Sequence, residues 1–146
     1  MILSNYVDYD TAHLIQKTPY NLTIPANVFN KNIITSFVLS NMTSIRHIDI
    51  GNNSLTKVRL FELNGLSELE SVVIGGSSVR IGNNERNDGL CRIVNCPKLK
   101  SIQIGNESFE DYHSFEISNL PSLQSIEIGS SCFQYVPSFS LIGLID

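Results

Sequence analysis

The stretch Leu99-Lys100-Ser101-Ile102-Gln103-Ile104-Gly105-Asn106-Glu107-Ser108-Phe109 is answered 24 residues later by Leu123-Gln124-Ser125-Ile126-Glu127-Ile128-Gly129-Ser130-Ser131-Cys132-Phe133. They are one eleven-residue phrase written twice, with the same aliphatic positions, a glycine after the second isoleucine and a closing phenylalanine. Upstream it returns as Leu69-x-x-Val72-x-Ile74-Gly75, ending at Val79, and as Ile45-x-x-Ile48-x-Ile50-Gly51-x-Asn53-x-Leu55. A degenerate first copy is Pro19-x-x-Leu22-x-Ile24-Pro25-x-Asn27-x-Phe29. The copies start at residues 19, 45, 69, 99 and 123, at spacings of 26, 24, 30 and 24. Self-similarity at such a period is the signature of stacked repeats and decides the fold class before local propensities are weighed.

A second phrase lies between the copies of the first. It reads Phe37-Val38-Leu39-Ser40-Asn41-Met42, then Phe61-Glu62-Leu63-Asn64-Gly65-Leu66, then Cys91-Arg92-Ile93-Val94-Asn95-Cys96. It continues as Phe115-Glu116-Ile117-Ser118-Asn119-Leu120 and Phe139-Ser140-Leu141-Ile142-Gly143-Leu144. The two phrases keep a fixed phase, which composition alone does not produce.

Within the first phrase, Ile102 and Ile104 alternate with Gln103. This period of two predicts a strand with isoleucine inward and glutamine outward. One such strand is unstable alone, but stacked copies gain neighbours in a parallel sheet at about 4.8 Å per step. Five copies then make a block about 24 Å long. The glycine after each full-copy strand suits the bend where the chain leaves the sheet. The second phrase is expected to cross the opposite wall and bury Phe115, Ile117 and Leu120. Its length, with Pro97 or Pro121 just after, leaves little room for a helix. Strand, bridge or short 3₁₀ pieces are expected there, with at most one helical turn.

The pattern resembles the leucine-rich repeat, whose phrase is L-x-x-L-x-L-x-x-N-x-L. Ile45 to Leu55 matches every position with isoleucine allowed for leucine, and the resemblance spans residues 19–144. The strand-like second phrase makes the chain most similar to the short β-rich BspA-like repeats of bacteria and protists. The resemblance implies a mainly β leucine-rich-repeat solenoid with a parallel sheet on the concave face and little or no helix. Asparagine gives way to Ser77, Glu107 or Ser131 in three copies, which puts the family's asparagine ladder in doubt there. Residues 1–18 stand outside the repeat as an N-terminal cap or extension. Residues 19–146 form the repeat domain, whose last coil is expected to be uncapped and open to self-association.

Composition bounds the function. The chain has 146 residues, enough for one domain with a sizeable core. Alanine occurs only at Ala12 and Ala26, which disfavours helix. A net charge of −4 argues against a general nucleic-acid binder, and no apolar run reaches the ~18 residues of a membrane span. The N-terminus shows neither a basic region nor a long apolar core, so no signal peptide is read, which favours an intracellular location. Asn-x-Ser/Thr sequons occur at Asn21, Asn41, Asn52 and Asn106 and matter only in a secreted chain.

In the repeat frame Cys91 replaces the phenylalanine and Cys96 the leucine of the second phrase, so both are expected in the core. Cys132 precedes a core phenylalanine and is expected to be partly exposed. His13, His47 and His113 do not cluster in this frame, and no metal ligand set, nucleophile elbow, phosphate loop or dinucleotide fingerprint is present. No cofactor and no enzymatic activity are expected.

By the resemblance, the strand face is the usual binding surface. Its outward positions form three columns: Tyr20, Arg46, Glu70, Lys100, Gln124; Asn21, His47, Ser71, Ser101, Ser125; and Thr23, Asp49, Val73, Gln103, Glu127. The residues chosen as partner-binding are Tyr20, Arg46, His47, Asp49, Glu70, Lys100, Gln103, Gln124 and Glu127. Arg46, Glu70 and Lys100 alternate in sign and are expected to pair between copies. The extra length of the 30-residue spacing falls within residues 80–89. Asn84, Glu85, Arg86 and Asp88 are the candidate contacts of this polar loop, which does not fit a calcium loop. Two functions follow as expectations: a non-enzymatic protein-binding module, or a structural segment of a larger surface or adhesin-like repeat protein.

Overall fold

Alternation of apolar and polar residues becomes alternation of burial in every coil. The computed structural model describes residues 20–81, 88–134, 136 and 138–143, with the backbone of two short strands ahead of them. Those two are β1 (Ile2–Leu3) and β2 (Gln16–Lys17). The coils carry β3 (Asn21–Ile24), β5 (His47–Ile50), β7 (Ser71–Ile74), β9 (Ser101–Ile104) and β11 (Ser125–Ile128) on one wall. The other wall carries β4 (Ser36–Ser40), β6 (Leu60–Asn64), β8 (Gly89–Val94), β10 (Tyr112–Ser118) and β12 (Ser138–Ile142). Pairing within each wall runs from every coil to the next, giving six-stranded sheets ordered β1-β4-β6-β8-β10-β12 and β11-β9-β7-β5-β3-β2. The strands of the coils are parallel; β1 and β2 cross the N-terminal edges of the two sheets antiparallel to β4 and β3. The chain is therefore an all-β parallel solenoid of about five turns, with no helix among the described residues.

The second wall is more regular than the sequence suggests. Of the strand, bridge or 3₁₀ pieces expected, it forms strands alone, of five to seven residues and joined in one continuous sheet. The cause is the Phe-x-Leu alternation: Phe37, Leu39, Phe61, Leu63, Cys91, Ile93, Phe115 and Ile117 all point inward and are buried. They meet Ile48, Ile50, Val72, Ile74, Ile102 and Ile104 of the facing sheet in one core.

The third coil is thinned to admit its neighbours. Its two aromatic positions hold Val79 and Cys91, and Phe61 and Phe109 from the coils on either side meet edge to face at 5.4 Å. Tyr112 also reaches across, its hydroxyl donating to the Val58 carbonyl at 2.6 Å. It passes over Gly89, where a Cβ would lie 2.7 Å from the Tyr112 ring. Glycine at the start of β8 is a requirement of this crossing.

The corner after each first-wall strand has a repeated backbone. Residues two apart take the left-handed conformation in every coil: Asn27 and Phe29, Asn53 and Leu55, Ser77 and Val79, Glu107 and Phe109, Ser131 and Phe133. Side chains beyond glycine strain this region by roughly 1–2 kcal/mol each, so inter-coil contacts must hold it. In the second, third and fourth coils a serine between the pair does so. Ser54 Oγ donates to the Pro25 carbonyl at 2.7 Å, Ser78 Oγ to that of Gly51 at 2.8 Å, and Ser108 Oγ to that of Gly75 at 2.8 Å. Each hydroxyl also accepts the backbone N–H of the preceding coil, from Val28, Ser54 and Ser78 respectively. Asparagine bonds at its expected position only between the first two coils, Asn53 Nδ2 donating to Asn27 Oδ1 at 2.9 Å; the ladder that continues through the later coils is serine, one position beyond. Cys132 takes the serine place in the last coil, its Sγ donating to the Gly105 carbonyl at 3.1 Å. The cysteines are free; Cys91 and Cys96 are buried and Cys132 is half-buried.

Candidate partner-binding face

Register builds the face. Asn21, His47, Ser71, Ser101 and Ser125 are direct partners from strand to strand, as are Thr23, Asp49, Val73, Gln103 and Glu127. The remaining column is joined by its backbone: Arg46 N–H donates to Tyr20 O, Glu70 to Arg46, Lys100 to Glu70 and Gln124 to Lys100, at 2.7–2.9 Å. All nine residues singled out on this face therefore lie on one outward surface, with inward isoleucines fixing its orientation.

The side chains divide the face. The Arg46 guanidinium lies over the Tyr20 ring, 4.8 Å from its centroid, an aromatic–cation pair that holds Arg46 in place. Lys100 Nζ pairs with Glu70 at 3.1 Å. The expected alternation of Arg46, Glu70 and Lys100 thus yields one direct ion pair, while Arg46 turns to tyrosine. The hydrogen bond from Lys100 holds the Glu70 carboxyl below its ordinary value, and the charges of Lys100, Arg46 and His47 act in the same direction. His47 Nδ1 and Ser71 Oγ are 2.8 Å apart. Cationic groups gather near the strand starts, while Asp49 and Glu127 lie toward the strand ends. Tyr20 is 53% exposed and Val73 36%, which leaves an aromatic and an aliphatic contact available.

Beside the acidic edge runs a shallow groove of about 440 Å³ lined by residues of β7, β9 and β11 and the corners that follow them. The glycine column forms its wall because neighbouring coils approach backbone to backbone: a Cβ on Gly105 would lie 2.5 Å from Gly76 N. Asn52 Oδ1 accepts from Gly76 N at 2.8 Å and Asn106 Oδ1 from Ser130 N at 2.9 Å. The signal for this groove was the Ile-Gly-Asn triplet at 50–52 and again at 104–106.

Of the candidate loop contacts, the structure describes Asp88 alone. Asn84, Glu85 and Arg86 lie outside the described residues. Asp88 stands just before β8, in the opposite wall, and pairs with Arg59 at 2.7 Å.

Reading the strand face alone also missed a charged column on that opposite wall. Arg92 lies between Glu62 and Glu116, at 3.3 and 2.8 Å. Asn64 and Ser118 donate to the glutamates at 3.1 Å each. The central residue of successive second phrases, Glu62, Arg92 and Glu116, carried this signal. Its charges satisfy one another. Among the described residues no group of three His, Cys, Asp or Glu side chains is placed to hold a metal ion.

Comparison with protein-family models, with curated proteins and with solved structures gives no match.

Proposed function

We propose that the chain is a non-enzymatic protein-binding module of the leucine-rich-repeat kind, similar to the β-rich BspA-like repeats, which meets a protein partner with the strand face of β3, β5, β7, β9 and β11. The observation that carries this reading is the in-register face itself, with Tyr20 and Arg46 locked together at one end. Tyrosine and arginine are among the residue types most enriched at binding hot spots. The neutralised Glu70–Lys100 pair and the small polar column add complementarity rather than affinity. No cofactor, nucleic acid or membrane insertion enters the proposal.

Site-specific photo-cross-linking tests it. A cross-linking residue at Gln103 is expected to give a discrete protein adduct in cell extract, and Arg46→Glu with Tyr20→Ala should abolish it. The same probe at Leu60, on the opposite wall, should give none. Equal adducts from both positions, or an adduct indifferent to the Arg46 and Tyr20 changes, would sink the reading. The exposed aliphatic residues of the last coil favour a second reading, an assembly segment of a larger surface or adhesin-like protein.

A further inference from the structure

The corner after each second-wall strand turns on one residue with a positive φ: Asn41, Gly65, Asn95, Asn119 and Gly143. Only in the second coil does glycine stand there directly behind an asparagine, and Asn64-Gly65 is the one Asn-Gly dipeptide of the sequence. A glycine nitrogen has no side chain beside it to shield it from the neighbouring amide. Attack of such a nitrogen on the asparagine side chain is a spontaneous reaction of unfolded chains at neutral pH.

The fold ties down each group that this reaction needs. Gly65 N–H donates to the Val94 carbonyl at 3.2 Å, and Asn41 N–H to the Asn64 carbonyl at 3.0 Å. Asn64 Nδ2 donates to Glu62 Oε1 at 3.1 Å, and Asn64 Oδ1 accepts from Asn95 Nδ2 at 3.1 Å. Asn119 Nδ2 continues the row by donating to Asn95 Oδ1 at 2.8 Å. Asn64 also stands in β6, paired with β4 on one side and β8 on the other. The corner leaves little room to turn, since a Cβ on Gly65 would lie 2.7 Å from Asn41 Oδ1. The side chain can fold back onto the Gly65 nitrogen only when these bonds are broken together.

We propose that Asn64 is a latent modification site, closed in the folded solenoid and opened when the second coil unfolds. The Gly65 nitrogen bonds to Asn64 Cγ. The Cγ–Nδ2 bond breaks, and ammonia leaves with the proton of the Gly65 nitrogen. Water then opens the cyclic imide. Opening at the side-chain carbonyl gives aspartate. Opening at the main-chain carbonyl gives isoaspartate, whose backbone runs through the side chain and is one methylene longer. Neither product suits the corner. Aspartate sets a carboxylate where an amide donated to Glu62, and like charges in contact repel. Isoaspartate shifts Gly65 away from the Val94 carbonyl and from its close place beside Asn41. A chain that has opened is therefore marked at one residue, and the mark opposes its return.

Incubation of the full chain at neutral pH, folded or in unfolding guanidinium chloride, reads the site by peptide mass mapping and isoaspartate-specific methylation. Conversion of Asn64 is expected to be at least tenfold faster in the denaturant, because the folded chain reacts only through its rare openings. Asn95→Gly removes the donor to Asn64 Oδ1 and keeps a residue suited to the left-handed conformation. It should raise the folded-state rate at least threefold. Asn119→Gly makes the same change one coil further along and should leave that rate unaltered. Equal rates in the folded and unfolded chains, no conversion in the unfolded chain, or equal effects of the two variants would overturn the proposal.

Discussion

At the scale of single residues, the buried serines do the work expected of asparagine. Ser78 is fully buried, and its hydroxyl ties Ser54 N–H to the Gly51 carbonyl. Ser78→Ala leaves both groups buried without this partner and is expected to cost about 1–3 kcal/mol, measured by urea unfolding; Ser101→Ala, on the strand face, should change stability by less than about 0.5 kcal/mol. Equal effects would remove the ladder argument. Gly105→Ala drives a methyl group into the Gly76 backbone and should lower stability by about 1–3 kcal/mol. The thiols differ in the same physical terms. Burial pushes the Cys91 thiol far up and raises those of Cys96 and Cys132, of which Cys132 is only half-buried. In the native protein at neutral pH a disulfide reagent should modify Cys132 well before the other two, with all three equal after denaturation. The serine ladder was hard to see in the sequence because serine is common on surfaces. Ser54, Ser78 and Ser108 recur at one repeat position, yet Ser77 and Ser131 beside that column are turn residues facing outward.

At the scale of elements, the first-wall strands were legible because period-two alternation of isoleucine leaves no second reading. The opposite wall was only half legible. Its apolar positions were plain, but whether short strands would join into a sheet depends on neighbours that a linear pattern does not show. Once joined, it creates the Glu62–Arg92–Glu116 column. The hydrogen bond from Arg92 holds the Glu116 carboxyl below its ordinary value. Because the folded value is the lower one, this contribution is present above the unfolded glutamate pKa and is lost as pH falls through the folded value. Arg92 and Glu116 are each about one-third exposed, so solvent screening limits the pair to about 0–1 kcal/mol. Arg92→Met should flatten the acid limb of the stability curve by that small amount. An unchanged acid limb would show that the pair contributes nothing.

At the scale of the whole molecule, each coil touches the coils beside it, and the fold approximates a one-dimensional array. The third coil is the exception, since Phe109 and Tyr112 reach past it to Phe61 and Val58. The sequence located this irregularity by its spacing but not its consequence. Only the structure shows that Val79, Cys91 and Gly89 are small because a ring must pass. Elsewhere the serine bonds repeat from coil to coil: each hydroxyl accepts a backbone N–H from the coil before and donates to a backbone carbonyl of that coil, with steps of 26, 24 and 30 residues from Val28 to Ser54, Ser78 and Ser108. A gene segment encoding residues 45–68 can therefore be copied in frame, and the new unit finds on both sides the carbonyls, hydroxyls and bare glycine backbone it requires. A chain carrying that tandem copy should fold and melt at a higher temperature than the parent; a lower melting temperature would contradict the interchangeability of coils. Length is then a trait on which recombination can act without rebuilding the core.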